Sequence, residues 1–419
     1  MPRFLHLADV HLGYDRYDNK TRSQDFFYAF QEVLEKYAIE AEVDFVVIAG
    51  DLFEHRNIQP AILNQAEICL RRLHEVGIPV LAIEGNHDNR PYGTKTSWLS
   101  YLAARDLLVL LEPGSAGNDE PFYSIWNAEE LRGGYVDLPC GVRVIGSNWY
   151  GVSAPKAIEQ MATAIQQLPA CPPHTVLMLH QGMDGQIARY AGALNYSDVL
   201  PLREAGVDYL ALGHIHKNYE IDGWIFNPGS IEANSVEESR HPRGVYLVEL
   251  DANGVRAELK QDYRQRPIVQ LRLTTRGQET VEQVQADAEA CVQQAIASGR
   301  LDPNQAPLVE LRIEGQVGFD RLDLDTRRLQ QQLQQQSRAL IFLLKYDVDA
   351  LAYASPLAED ATRLQIEQEV FTDLVTASSA YKKRAPEVVK GLMQLKDWQQ
   401  EGRSPEDLYQ FAQQLLDQV

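Results

Sequence analysis

Cysteine is scarce in this chain: four in 419 residues (Cys69, Cys140, Cys171 and Cys291), with no two in a CxxC pair. That scarcity excludes a disulfide framework and a thiolate metal site, and leaves four small apolar residues expected to be buried and reduced. Long apolar runs are missing as well. Nowhere do about 18 apolar residues follow one another, as a spanning helix needs, so no membrane association is expected. The opening MPRFLHLADV has no basic head, apolar stretch and small-residue cleavage site, and a cytoplasmic protein is the expectation. Positive charge is also short: 39 basic against 59 acidic residues leave −20. Such a balance argues against tight, free-standing binding to a nucleic-acid polyanion. It leaves local attraction open, because a cleft holding divalent cations draws phosphate whatever the rest of the surface does.

What remains is ordinary globular material, 45% hydrophobic and 23% charged, long enough for two or three domains at roughly 100 to 200 residues each. Up to about residue 265, β-branched runs alternate with amphipathic stretches, the rhythm of a layered α/β domain. Strands are expected at Arg3 to Leu7, Asp44 to Ala49, Pro79 to Ile83, Val142 to Gly146, Thr175 to Leu179, Asp208 to Leu212 and Gly244 to Leu250. A helix capped by a Thr21/Gln24 box follows the first strand, with Phe26, Phe27, Phe30, Val33, Leu34, Tyr37 and Ala38 at helical spacing. From 266 to 350 the pattern predicts a separate small α/β domain: strand PIVQLRL, a helix from Gln278 to Ala297, strand LVELRI, a glutamine-rich helix and strand ALIFLLKYDV. Leucines interrupt LQQQLQQQ, so it is expected to be a solvated helical face and not a low-complexity tract.

From 351 to 419 only helices are expected, joined by ASSAYKKRAP and EGRSP. The last starts at a Ser404 cap and carries Leu408, Phe411, Ala412, Leu415 and Leu416 on one face. The one before it carries Val388, Val389, Leu392, Met393, Leu395 and Trp398. From the residues alone these stripes fit equally a self-packing pair and a docking element for a partner.

The chemistry lies in five stretches directly after expected strands: Asp9 and His11 in ADVH, Asp51 in AGDLFE, Asn86 to Asp88 in EGNHD, His180 in LMLHQG, and His214 and His216 in LGHIH. Loops beyond the carboxyl ends of strands in an α/β sheet converge on one crevice. Singly, each Asp is as readily a turn or helix cap and each His a core or surface residue. Together they are not chance, because five of the 10 histidines (His11, His87, His180, His214 and His216) fall in these loops. Carboxylate, amide and imidazole without thiolate suit two divalent ions, with manganese the first choice over iron or zinc. Asp51 is placed to bridge them at roughly 3.5 to 4 Å and activate a water for attack on phosphorus.

ADVH, GDLF, GNHD, a lone His after a strand and GHIH, in this order, resemble the calcineurin-like metallophosphoesterases. HLADVHLGY, the Arg22, Asp25, Phe26 stretch and GDLFEHR further resemble the SbcD-type nuclease subunits of double-strand-break repair complexes, strongly over residues 1 to 250 and loosely beyond. The resemblance implies a layered β-sandwich core flanked by helices over 1–265, a small α/β capping domain over 266–350, and a helical partner-docking segment over 351–419. It implies one ion on Asp9, His11, Asp51 and His216, and the other on Asp51, Asn86, His180 and His214. His87 would be the catalytic histidine facing the scissile phosphate, with Asp88 orienting it or capping the turn. It implies DNA as substrate, an SMC-like ABC ATPase as partner, and a homodimer. One departure stands out: relatives place a histidine directly after GDLF, where this chain has Glu54 and then His55. An auxiliary role for that histidine is therefore not expected here, since a one-residue shift redirects a side chain.

Two other readings compete. A phosphatase or cyclic-nucleotide phosphodiesterase of the same superfamily typically shows GDxxDRG and GNHE, whereas this chain has GDLFEHR and GNHD. A non-catalytic scaffold would be expected to have lost at least one of the eight positions.

Overall fold

The computed structural model describes residues 1–419 apart from 92, 95, 115–120, 171, 188–191, 351–361, 377–380, 382–383 and 418–419. Cys171 and most of ASSAYKKRAP therefore lie outside the described residues. Two six-stranded sheets and one three-stranded sheet form. The first sheet comprises β1 (Arg3–Leu7), β2 (Phe45–Ala49), β3 (Val80–Ile83) and β4 (Val109–Leu110), with β11 (Val245–Asp251) and β12 (Gly254–Lys260) added on the other side of β1. The second comprises β5 (Tyr135–Leu138), β6 (Val142–Ile145), β7 (His174–Leu179), β8 (Tyr209–Leu212), β9 (Tyr219–Ile221) and β10 (Ile225–Asn227). The run β1 to β4 is parallel, as are β6, β7 and β8.

The sequence reason is plain in β2, FVVIA, where every residue is buried. A parallel strand covered on both faces is apolar throughout instead of alternating. One face of each large sheet meets the other sheet in a core of Phe4, Phe45, Val47, Val176, Met178, Tyr209 and Phe226. Phe4 stacks on Phe45 at 4.8 Å and Tyr209 on Phe226 at 4.6 Å, and each such side chain contributes about 1.5 to 3 kcal/mol on burial. The outer face of the first sheet carries α1 (Lys20–Leu34), α2 (Pro60–Glu75) and α3 (Trp98–Ala104) through Phe30, Val33, Leu70, Leu73 and Leu102. The outer face of the second carries α4 (Ala154–Gln166) and α5 (Tyr196–Glu204) through Ile158, Met161, Val199 and Leu202. Helix, sheet, sheet, helix is the layering that results.

The third sheet orders β13 (Ile268–Arg276), β14 (Leu308–Val317) and β15 (Ile341–Ala350), with α6 (Val281–Ala297) and α7 (Thr326–Ser337) between them. The glutamine-rich run is helical, with Leu329 and Leu333 buried. α8 (Arg363–Thr376), α9 (Ala385–Gln400) and α10 (Pro405–Asp417) follow. The chain divides into two compact units: Met1–Leu273 with Gln285–Ile313 and Asp325–Tyr346, and Thr274–Val284 with Glu314–Leu324 and Asp347–Val419. Within the second unit α8 and α9 share Phe371, Val375, Val388 and Val389, Trp398 lies 4.6 Å from Phe411, and Leu415 covers Gly391. The apolar stripes of α9 and α10 thus face each other. Among the described residues no helix is long and apolar enough to cross a membrane.

Three expectations need correction. α1 starts earlier than the Thr21/Gln24 box: Asn19, extended at φ −127, caps it by accepting from the Arg22 amide, a position where Asn ranks with the best residues. Only Cys69 of the described cysteines is buried, while Cys140 and Cys291 are half-buried. Strands β4, β5, β9, β10 and β12 escaped notice because most are two to four residues long, too short for a periodicity to register.

Candidate metal centre

Every chemistry-bearing stretch leaves the carboxyl end of a parallel strand: ADVH follows β1, GDLF follows β2, GNHD follows β3, His180 follows β7 and GHIH follows β8. The loops are also stitched together. The amides of Val10 and His11 donate to the Asp51 carbonyl at 2.9 and 3.1 Å. Asp88, fully buried, accepts from the Leu52 amide at 2.7 Å and the Gly85 amide at 2.8 Å, fastening GNHD to GDLF. It ties loops and leaves the His87 ring alone, and burial with the nearby Asp51 charge pushes its carboxyl up to about 7.

The backbone is bent for this purpose. Asp9, His11, Asp51 and His214 all sit in the left-handed region, at φ 53, 51, 53 and 82. Each such non-glycine residue costs on the order of 1 to 3 kcal/mol and persists only where surroundings over-determine it. Neighbouring glycines make the room: a methyl on Gly85 would overlap the Asp51 carboxylate, and one on Gly50, itself at φ +92, would overlap the His180 ring.

Among the described residues four histidine and carboxylate groups result, and two of them, apart from His11 with Glu54 and His87 and from Asp15 with Glu54 and His55, gather the expected ligands. Asp9, His11 and His216 bring one ligand atom each within 4.8 Å of one another, and so do Asp51, His180 and His214. In the first, the Nε2 atoms of His11 and His216 stand 3.0 Å apart, and Asp9 Oδ1 lies 3.9 and 3.8 Å from them. In the second, His180 Nε2 is 3.1 Å from Asp51 Oδ2 and 3.2 Å from Asn86 Oδ1. The two histidines of GHIH divide between the clusters. His87 joins neither of these: its amide donates to Asp51 at 2.9 Å, and its Nδ1–H donates to the Glu54 carbonyl at 2.8 Å, leaving Nε2 free on a ring 39% exposed. His55 turns away, pairing with Asp15 at the surface at 3.1 Å.

The far side of each ring is also provided for. His180 Nδ1–H donates to the Ala49 carbonyl at 2.8 Å, His216 Nδ1 meets Glu238 Oε1 at 3.1 Å, and His11 Nδ1 lies 2.7 Å from Glu54 Oε2 in ion-pair contact without hydrogen-bond alignment. Ligand histidines characteristically show such outer partners, which fix tautomer and ring direction. Sequence reasoning missed Glu54 and Glu238. The first stands beside GDLF, where a carboxylate carried no distinct signal, and the second sits in ANSVEESR with none at all. His6 was also passed over: wholly buried, it bridges Tyr209 Oη at 2.8 Å and the Leu212 carbonyl at 3.0 Å, one strand end away from GHIH.

Burial opposes charge throughout the cluster. Even so, the His180, His11 and His87 rings hold Asp51 far below the usual carboxylate range. Against the same burial, Asp51 and Asp9 lift His180 to about 9, and Glu238 and Asp9 lift His216 to about 9. His214, buried beside His180, is pushed down to about 3, and burial pushes Asp9 up. Facing imidazole nitrogens amid buried carboxylates, with His11 Nδ1 unmatched by any hydrogen bond, form a donor set suited to divalent cations.

A layered α/β sandwich with such a cluster at its strand ends defines a phosphoesterase: residues 2–218 match the calcineurin-like phosphoesterase family, and the chain belongs to it. The chain is similar to the DNA double-strand break repair protein Mre11 of Archaeoglobus fulgidus, 33% identical over 245 residues, or 57% of this chain and 52% of the relative. The protein of the same name from Haloferax volcanii is 30% identical over 323 residues, 76% of this chain and 63% of the relative. That from Aeropyrum pernix is 30% identical over 261 residues, 60% and 59%. The chain thus spans between about half and two thirds of these relatives' length. A cold-active protein-tyrosine phosphatase from a psychrophilic Shewanella aligns with a TM-score of 0.32 at 12% identity over 62% of this chain and 78% of its own, too loosely to bear on substrate.

Proposed function

We propose that this chain is a metal-dependent DNA nuclease, the hydrolytic subunit of a double-strand-break repair complex. The observation that carries the reading is the convergence of seven donor side chains, from five loops, into two adjoining clusters beside His87. Asp9, His11, Asp51 and His216 would hold one ion, and Asp51, Asn86, His180 and His214 the other, with manganese favoured by the mixed oxygen and imidazole donors. Bound there, the ions would polarise the phosphodiester and lower the pKa of a water nucleophile. The chain's own part is orientation and proton supply. The Glu54 carbonyl takes the Nδ1–H of His87, so that Nε2 is the nitrogen left for substrate; in the imidazolium form its proton would pass to the leaving 3′ oxygen, or its charge would steady that on phosphorus.

Residues 1–265 are read as the catalytic domain, 266–350 as a cap over the substrate path, and 351–419 as the docking segment for an SMC-like ABC ATPase, which would supply most of the basic DNA-binding surface. A homodimer in the cytoplasm completes the reading, and the Mre11 relatives support its repair role by their name alone. The test is cleavage of a labelled linear duplex by purified protein with manganese, abolished by a chelator. Protein that cleaves bis(p-nitrophenyl) phosphate but never DNA would establish a small-substrate phosphodiesterase instead. Protein that binds no metal and cleaves nothing would be a scaffold.

A further inference from the structure

The loop from Asn234 to Arg240 joins two places that sequence separates widely. At one end is His216, whose Nδ1 meets Glu238 Oε1 at 3.1 Å while its Nε2 faces His11. The other oxygen of the same carboxylate accepts from the Asn234 amide at 2.9 Å, and the Glu238 amide donates to Ser235 Oγ at 3.3 Å, so the carboxylate is locked to its own turn. Where that turn goes, Glu238 goes, and the His216 ring follows.

The turn is held by Tyr14, which bonds the Asn234 carbonyl, by Arg243, which bonds the Glu238 carbonyl, and also by the third sheet. Gln270 on β13 donates to the Val236 carbonyl at 3.0 Å and accepts from Arg240 Nε at 3.1 Å. Lys345 on β15 bonds Glu237 Oε1 at 2.5 Å and pairs with the buried Glu310 of β14 at 2.6 Å. An exposed ion pair alone contributes little. Here Glu310, 4% exposed on its side chain, pins the lysine, and two further bonds run through Gln270 to the same short turn. His180 of the second cluster is held differently, on the carbonyl of Ala49 within the core strand β2.

We infer that Glu238 is a positioning residue for His216 and that the third sheet, through Gln270 and Lys345, sets how well one of the two metal sites is formed. This rests on the reading of Asp9, His11, Asp51 and His216 as a metal site. Removal of an outer carboxylate behind a ligand histidine weakens metal binding by about 10- to 100-fold, and an indirect tie of this kind modulates it by roughly 2- to 30-fold. Loosening the sheet's hold therefore lowers affinity at one site and spares the other.

The experiment is manganese titration of the full chain by calorimetry, with manganese EPR to distinguish a coupled ion pair from an isolated ion. Glu238→Gln should weaken one site by about 10- to 100-fold. Glu237→Gln with Gln270→Ala, which releases the turn from the third sheet alone and leaves Lys345 to neutralise Glu310, should weaken the same site by roughly 2- to 30-fold. Adding this pair to Glu238→Gln should cost nothing more, as expected for changes acting through one contact. The pair sits on half-exposed or exposed positions that leave the core intact, so the comparison stands even if Glu238→Gln folds poorly. Untied protein that binds both ions like wild type, loses both equally, or adds its full loss to that of Glu238→Gln overturns the inference. Wild-type protein that takes up no manganese overturns the reading of the site itself.

Discussion

At His87 the ring and the backbone have separate duties: the amide braces Asp51, while the imidazole groups with His11 and Glu54 and joins neither of the two clusters of expected ligands. Glutamine keeps the amide and loses the proton, so His87→Gln should retain two ions by elemental analysis while slowing DNA cleavage by roughly 10² to 10⁴. Asp51→Ala should lose both metal and activity, and equal metal loss in the two variants would make His87 a ligand. His6 bears on stability. Burial holds it neutral down to about pH 3, with Nδ1 accepting from Tyr209 and Nε2–H donating to Leu212. The unfolded chain protonates it near pH 6.5. Between about pH 6.5 and 3 the unfolded state therefore binds more protons, and stability falls as pH falls, by up to about 1.4 kcal/mol for each pH unit. In urea melts of chelator-treated protein, wild type should lose stability more steeply than His6→Gln across that window. Parallel slopes would show that His6 is protonated in the fold.

Among the elements, the strand ends were easy to read and the helical tail was not. α9 and α10 use Trp398, Phe411 and Leu415 on each other, so part of each stripe is accounted for by packing. Tyr409 of α10 stays 70% exposed. α8 shares its apolar side with α9 through Phe371 and Val375, and a cut between them would expose both. Deletion of the whole of 351–419, which contains none of the proposed ligands, should therefore leave manganese-dependent cleavage of short oligonucleotides nearly intact. The same deletion should abolish copurification with an SMC-like ATPase, since helix-in-groove contacts depend on a few apolar anchors. A deleted chain that still captures the ATPase would move the docking site elsewhere.

Across the whole molecule, 59 acidic against 39 basic residues give a net charge that opposes a polyanion, which a crevice loaded with divalent cations would attract. The isolated chain should hold a fluorescent duplex with manganese present and release it to a chelator. Binding that persists without metal would reveal a basic face and make the partner's surface unnecessary. The sequence by itself determined the class of this protein. A parallel strand buried on both faces is apolar along its length, as β2, β3 and β8 are and as most of β1 and β7 is, and it ends abruptly in polar residues, so these strands and the donors after them were visible as local pattern. Only the tertiary structure decided which donors share a cluster, that Asp9, His11, Asp51 and His214 take left-handed backbone, and that Glu54 and Glu238 stand behind the His11 and His216 rings. Those facts depend on contacts between residues as far as 205 positions apart. No local periodicity encodes such contacts, because they exist only once the two large sheets have closed on their common core.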